Sequence, residues 1–399
     1  MKSKKMKSLF TKVLGMAMAL GLVMGTGVPV MAAGEVMEGT EAAPADAYLT
    51  KELQVAEGVT VPSATFSFKF EQVREDGGAP TAEMPAITDK NISYTNADTA
   101  VPDASGLKKI KKISGKILDG VTFTHAGEYE YKVTEVQTIT GHTLDADNET
   151  MQFSKAEYKM RVIVNNKADG SGVYVKYVVV DRVLNDAGTA EAAKVNPGDE
   201  VTANTFMFTN VFTREGSLLD GKNPLEINKT VTGAAGDKTK EFDFSLTLTK
   251  SPTESATVTE YPAVITRADG TTENVTVPVG AAFTFKLKHG DTLSFGNTTT
   301  YPGTLPAGTR YTVTETGVNG YTTSAKVKEN GGTETTIDNV TVTNKLVGDH
   351  ENYAKYTNDK SVTPPTGIII NNLPFILLIG FAMGAFALFI VAKRRRSMR

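Results

Sequence analysis

Between residues 48 and 347 the chain is built from short runs in which Val, Thr, Tyr and Phe alternate with polar residues. They read ATFSFKF, EYEYKV, EYKMRVIV, VYVKYVVV and FMFTNVF, then LEINKTV, FDFSLTL, AFTFKL, RYTVTE and VTVTN, with Gly, Asn and Asp clusters between them. A period of two belongs to a strand with one face buried, and runs this short and numerous predict an all-β fold of sandwich type. Asn166-Lys167-Ala168-Asp169-Gly170 reads as a hairpin loop between two such runs.

The runs repeat. Phe66-Ser67-Phe68 matches Phe242-Asp243-Phe244, and Tyr131-Lys132-Val133-Thr134-Glu135 after Ala126-Gly127 matches Tyr311-Thr312-Val313-Thr314-Glu315 after Ala307-Gly308. Phe206-Met207-Phe208-Thr209-Asn210 matches Val340-Thr341-Val342-Thr343-Asn344. Two tandem Ig-like β-sandwich domains account for this, one over 45–215 and one over 222–347, joined through the polar stretch Arg214 to Asn223. Residues 34–47 read as a small, polar leader, and 348–362 as a polar spacer.

In each repeat, three polar residues fall on the apolar face. Side chains two apart in a strand point the same way. Leu49, Lys51, Leu53 and Val55 therefore group together, as do Tyr131, Val133 and Glu135, and Phe206, Phe208 and Asn210. The second repeat gives Leu225, Ile227, Lys229 and Val231; Tyr311, Val313 and Glu315; and Val340, Val342 and Asn344. A single such Lys or Glu is usually a strand-end residue whose long side chain reaches solvent. The same trio in the same order in both repeats reverses that preference.

Burial raises a carboxyl pKa and lowers an amine pKa, whereas ion pairing opposes both shifts, so sequence leaves the protonation state open. In the neutral state Lys is an amine nucleophile, Asn an electrophilic carbon, and Glu an acid able to lend its proton to the amide oxygen. Near-attack positioning supplies effective molarities of about 10⁵–10⁸ M. With Glu as proton shuttle, ammonia leaves and a Lys to Asn amide remains.

The ends place this body outside a cell. Residues 1–32 are basic, then apolar, then small around Met31-Ala32-Ala33, the form of a cleaved secretory signal peptide. Residues 363–399 hold Thr363-Pro364-Pro365-Thr366-Gly367, an apolar run from Leu373 to Ala392, and Lys393-Arg394-Arg395-Arg396. The run is long enough to span a bilayer, and the basic tail stays inside. With 0 Cys in the chain, disulfides cannot reinforce an exported body, which leaves other covalent chemistry.

The pentapeptide resembles the LPxTG sorting signal read by sortases, with Thr in the place of Leu. That resemblance implies cleavage between Thr366 and Gly367 and transfer of the Thr acyl group to an amine. The body resembles the streptococcal major pilins, whose domains each carry a Lys to Asn isopeptide bond promoted by a Glu. Carried onto this chain, the resemblance implies bonds Lys51 to Asn210 and Lys229 to Asn344, with Glu135 and Glu315 as catalytic residues. It also implies an acceptor Lys in the loop before the last strand of the first domain, where Lys194 stands. The expected protein is a structural shaft subunit of a sortase-assembled, wall-anchored surface pilus that mediates attachment. Its expected partners are a sortase, neighbouring pilin subunits, peptidoglycan and a host or surface ligand. A monomeric wall-anchored adhesin or basal pilin is the alternative.

A net charge of -3, with neither sign clustered in the body, argues against a nucleic-acid partner. Asp145-Ala146-Asp147-Asn148-Glu149 lacks the Gly and distal Glu of an EF-hand and reads as a turn. His125, His142, His289 and His350 show no metal spacing. With no GxSxG or phosphate loop either, neither a turnover enzyme nor a cofactor is expected.

Overall fold

The computed structural model describes residues 36–201, 204–296, 305–361 and 366–397. The expected signal peptide and Thr363 to Pro365 lie outside the described residues.

Period-two burial marks the strands over Glu157–Asn166, Met207–Arg214, Phe242–Thr249 and Arg310–Thr316 as the alternation requires, whereas the strand over Thr50–Ala56 is buried at six of its seven positions. The first sandwich comprises β1 (Val36–Glu38), β2 (Thr50–Ala56), β3 (Thr65–Glu75), β4 (Lys90–Ser93), β5 (Leu107–Ile113), β6 (Gly127–Thr140), β7 (Glu149–Gln152), β8 (Glu157–Asn166), β9 (Val173–Leu184), β10 (Ala190–Val195) and β11 (Met207–Arg214). The second comprises β12 (Glu226–Thr232), β13 (Phe242–Thr249), β14 (Glu260–Thr266), β15 (Thr272–Pro278), β16 (Phe283–Leu287), β17 (Thr292–Phe295), β18 (Arg310–Thr316), β19 (Thr322–Lys328), β20 (Thr335–Ile337), β21 (Thr341–Leu346) and β22 (Tyr353–Asp359).

Each sandwich pairs a larger sheet with a four-stranded one. In the first, the order β1-β9-β8-β6-β3-β4, with β10 also on β9, faces β5-β2-β11-β7. In the second, β15-β14-β17-β12-β22-β19-β20 faces β16-β13-β18-β21. The fold is all-β, with two tandem sandwiches and two separate buried apolar cores. In both, the first long strand lies parallel to the last: β2 against β11, and β12 against β22.

Three segments differ from the sequence reading. Residues 34–47 are not merely a leader: Val36 to Glu38 pair with β9, and Ala45 and Ala47 are buried in the first core. Residues 348–362 are not a spacer, because they contain β22, the closing strand of the second sandwich. The polar joint is packed rather than solvated. Arg214, almost completely buried, donates Nε to Glu149 Oε1 at 2.7 Å and Nη1 to Asp349 Oδ2 at 2.9 Å. Asp349 also accepts the Thr60 N–H at 2.7 Å, so one ionic cluster ties the sandwiches together. Gly308, at φ 93°, sits where a Cβ would come within 2.3 Å of Ala56 Cβ. Only glycine allows that approach of the second sandwich to the first.

A helix, α1 (Thr366–Ser397), follows. Its apolar part, Phe375–Arg396, has 22 residues, with Phe375, Phe381, Phe386 and Leu388 exposed. At about 1.5 Å per residue it reaches about 33 Å, enough for a bilayer core. Thr366 and Gly367 are its first two residues.

Candidate crosslinking sites

In the first sandwich the alternation turns Leu49, Lys51, Leu53 and Val55 inward, and all four are fully buried. Parallel register on β11 sets Phe208 opposite Lys51 and Asn210 opposite Leu53. Lys51 and Asn210 therefore sit on neighbouring strands of one sheet, offset by two residues. Glu135 reaches them from β6 in the facing sheet.

The carboxyl bridges the other two groups. Lys51 Nζ donates to Glu135 Oε2 at 3.0 Å, and Asn210 Nδ2 donates to Glu135 Oε1 at 2.7 Å. Nζ also lies 4.7 Å from the Phe66 ring centroid, so the amine meets one aromatic face and one carboxyl. Burial pushes the Lys51 amine down to about 8 against the attraction of Glu135. Burial likewise pushes the Glu135 carboxyl up against Lys51. Both shifts favour the neutral, reactive pair.

One detail corrects the sequence-based chemistry. Glu135 touches the amide nitrogen of Asn210, not the oxygen; Oδ1 instead accepts the backbone N–H of Ser154 at 2.7 Å. The reverse orientation would set the NH₂ against that N–H and leave two donors facing each other. The carboxyl is thus placed to protonate the leaving nitrogen.

The second sandwich repeats the geometry with a different amide. Lys229 on β12 is buried beside Ile227 and Val231, and its Nζ lies 2.6 Å from Glu315 Oε1 and 4.4 Å from the Phe242 ring centroid. Burial pushes Lys229 down to about 8 and pushes Glu315 up. The amide that meets Glu315 is that of Asn358, whose Nδ2 donates to Oε1 at 2.8 Å. On β22, Tyr356 stands opposite Lys229 and Asn358 opposite Val231, the same two-residue offset as in the first sandwich. Close as Lys229 Nζ is to the carboxylate, it is not aligned as a hydrogen-bond donor, and Glu315 Oε2 and Asn358 Oδ1 also have no partner. Unpaired buried polar atoms are costly, so this core favours chemistry that consumes them.

Asn344 does not meet Lys229. It lies on β21, which pairs with β18 in the sheet opposite Lys229. The register slips between Tyr311 and Val313, and Asn344 adopts φ 49° with its side chain exposed. A bulge with a left-handed Asn reverses the expected inward direction. The missed residue had a signal: Tyr356-Thr357-Asn358 echoes Phe208-Thr209-Asn210.

Lys194 is on β10 rather than in a loop, opposite Asp181 of β9 and half-buried. Its carbonyl accepts the Asn204 side-chain amide, which holds the start of the loop leading to β11.

Comparison with known proteins agrees with this architecture. Residues 48–213 match a family model described as a Spy0128-like isopeptide containing domain, and residues 223–346 match one described only as a domain of unknown function. A pilin of Streptococcus pyogenes serotype M1 is 26% identical over 354 residues, 87% of this chain and 90% of its own length. The pilus tip adhesin Cpa of Streptococcus pyogenes is 32% identical over 155 residues, 39% of this chain and 19% of that protein. Among solved structures, the major pilin from Streptococcus pyogenes is 23% identical, covers 79% of this chain and 99% of its own, and has a TM-score of 0.35. The major pilin T3.2 from Streptococcus pyogenes is 25% identical, with coverages of 82% and 100% and a TM-score of 0.33. A Spy0128-like isopeptide domain over residues 48–213 and a pilin matched at 26% identity along 87% of the chain make this chain similar to the streptococcal-type major pilins.

Proposed function

We propose that this pilus shaft subunit seals each sandwich with its own Lys to Asn bond and is polymerised by a sortase through Thr366. The observation that carries the first part is the carboxyl that joins a buried amine to a buried amide in both sandwiches, at one shared strand register. The neutral Lys nitrogen adds to the Asn Cγ, and Glu moves the proton from Nζ to Nδ2. The C–Nδ2 bond then breaks and ammonia leaves. Lys51 joins Asn210, and Lys229 joins Asn358, each in a single event rather than a turnover.

Each bond ties the first long strand of a sandwich to the last. In the second, tension passing from Asn223 toward Ser361 crosses from Lys229 to Asn358 and bypasses the strands between them. A noncovalent sandwich under force fails at its unfolding rate; this one cannot extend through that segment. That property suits a fibre under load.

The reactive pair holds one shared proton, so bond formation should have a bell-shaped pH profile. In acid the amine gains a proton and is no longer a nucleophile. Above about pH 8, where Lys51 and Lys229 titrate, the pair loses the proton that the leaving nitrogen needs. The rate at which newly folded protein loses ammonia, followed by intact mass, should therefore fall on both sides. A rate that keeps rising to pH 10 would show that a free amine suffices.

For assembly, the sortase cuts between Thr366 and Gly367 and leaves α1 in the membrane. Lys194 of the next subunit accepts the acyl group, and a peptidoglycan amine accepts it at the base, anchoring the fibre to the wall. Adhesion at a host or surface ligand follows from display on the fibre. Co-expression with the cognate sortase should give a detergent-resistant ladder, and Thr366→Ala should remove it. Lys194→Ala should collapse the ladder to single subunits; normal polymerisation of that variant would exclude Lys194. If the unaltered chain gives one wall-attached band, it is a monomeric adhesin or basal pilin instead.

A further inference from the structure

The amide oxygen of Asn210 is the reacting atom that neither Lys51 nor Glu135 touches. As the amine adds to Cγ, the C=O electron pair moves onto this oxygen, and in a buried site that charge needs a donor already in place. Ser154, in the connection between β7 and β8, supplies one: its N–H stands 2.7 Å from Oδ1, and the residue is 1% exposed.

That N–H is held from two sides. Ser154 Oγ donates to Asp186 Oδ1 at 2.5 Å, and the same oxygen accepts the N–H of Thr209, the residue before Asn210, at 2.9 Å. The Asp186 carbonyl accepts the Lys155 N–H at 2.9 Å, while Gln137 Nε2 donates to the Ser154 carbonyl at 2.7 Å. One carboxylate in the turn between β9 and β10 thus clamps the strand that presents the amide to the segment that presents the donor.

We propose that the Ser154 backbone N–H is the oxyanion donor for the first-domain bond, and that Asp186 is the positioning residue that aims it. This rests on the crosslinking reading above. Atoms balance without further reagents: Nζ bonds to Cγ, the C=O pair rests on Oδ1 under the Ser154 N–H, and Glu135 carries the proton from Nζ to Nδ2. The pair then returns as ammonia departs. The second sandwich has no counterpart, because Asn358 Oδ1 has no hydrogen-bond partner among the described residues. The two bonds in one molecule therefore close at different rates, the first sooner.

The test uses the full body after brief induction, sampled over time, digested, and read by mass spectrometry for the two branched peptides, Lys51 to Asn210 and Lys229 to Asn358. The second bond is an internal control for folding and recovery. In the unaltered protein the first peptide should appear before the second. Asp186→Ala should slow the first at least about tenfold, where loss of a whole oxyanion donor costs roughly 10²–10³, and leave the second unchanged. Asp186→Asn, which keeps the acceptor oxygen and removes the charge, should restore the rate. Ser154→Ala, which keeps the N–H and loses its Oγ bond to Asp186 while Thr209 keeps its own, should give a smaller slowing and serves if Asp186→Ala does not fold. An unslowed first bond in Asp186→Ala would overturn the assignment, as would an Asn variant as slow as the Ala variant, or equal slowing of both bonds. Absence of the Lys51 to Asn210 peptide from the unaltered protein would instead defeat the crosslinking reading beneath it.

Discussion

A Glu135→Ala body should weigh one ammonia more than the unaltered body, after correction for the substitution, and its first domain should melt about 10–20 °C lower. The mass follows from chemistry. Without the carboxyl that touches both Lys51 Nζ and Asn210 Nδ2, no group carries the proton to the leaving nitrogen. The melting change follows from chain entropy: a bond from residue 51 to residue 210 removes about 5 kcal/mol of unfolded-state freedom on the disulfide loop model. For a domain of this size each kcal/mol moves Tm by about 2–4 °C. Leaving Lys51 buried without its carboxyl adds to the loss. Intact mass and calorimetry on the same sample check both parts. A Glu135→Ala protein that still carries the Lys51 to Asn210 bond would remove Glu135 from the mechanism.

Most of the first site was legible because its strands are regular. Over Leu49 to Val55, Tyr131 to Glu135 and Phe206 to Asn210 the period of two runs unbroken, so an inward polar residue stands out against apolar neighbours. The parallel pairing of β2 with β11 was not legible, since register between distant strands is set by three-dimensional packing. Three failures share one physical cause, in that local composition was read as local environment. Residues 348–362 look solvated because the inward positions of β22 are Ala354, Tyr356 and Asn358, a set with little aliphatic character. Arg214 looks like linker, yet it is buried through Glu149 and Asp349, partners that no short sequence window contains. Val36 to Glu38 look like leader because a three-residue edge strand carries almost no periodicity. The amide oxygen donor was invisible for a different reason: a backbone N–H has no signature in sequence.

The second site turns on Asn358 against Asn344, and the two choices predict opposite masses. Asn358→Ala should lack the Lys229 to Asn358 bond, leaving the body one ammonia short of its sequence mass instead of two. It should also lower the melting of the second domain by about 10–20 °C, since the loop from residue 229 to residue 358 is nearly as long as that in the first domain. Asn344→Gly should leave both bonds intact, because Asn344 faces solvent on the opposite sheet. At φ 49° glycine occupies its backbone conformation without strain, so stability should stay close to that of the unaltered protein. Asn344→Ala should cost no more than about 1 kcal/mol, since both residues carry a Cβ and alanine lacks only the short polar side chain that helps Asn tolerate the left-handed region, again with no change in crosslink mass. The consequence for tension is direct. A bond at residue 344 would leave β22 outside the covalent path, able to peel from β12 under load. A bond at residue 358 carries the path to within a few residues of Thr366. Pulled singly between Asn223 and the sorting signal, the unaltered second domain should extend only by the slack outside Lys229 and Asn358, whereas Asn358→Ala should unravel by the length of the whole domain. Loss of the second ammonia in Asn358→Ala would return the assignment to Asn344, whereas full unravelling of the unaltered domain would exclude any crosslink from Lys229.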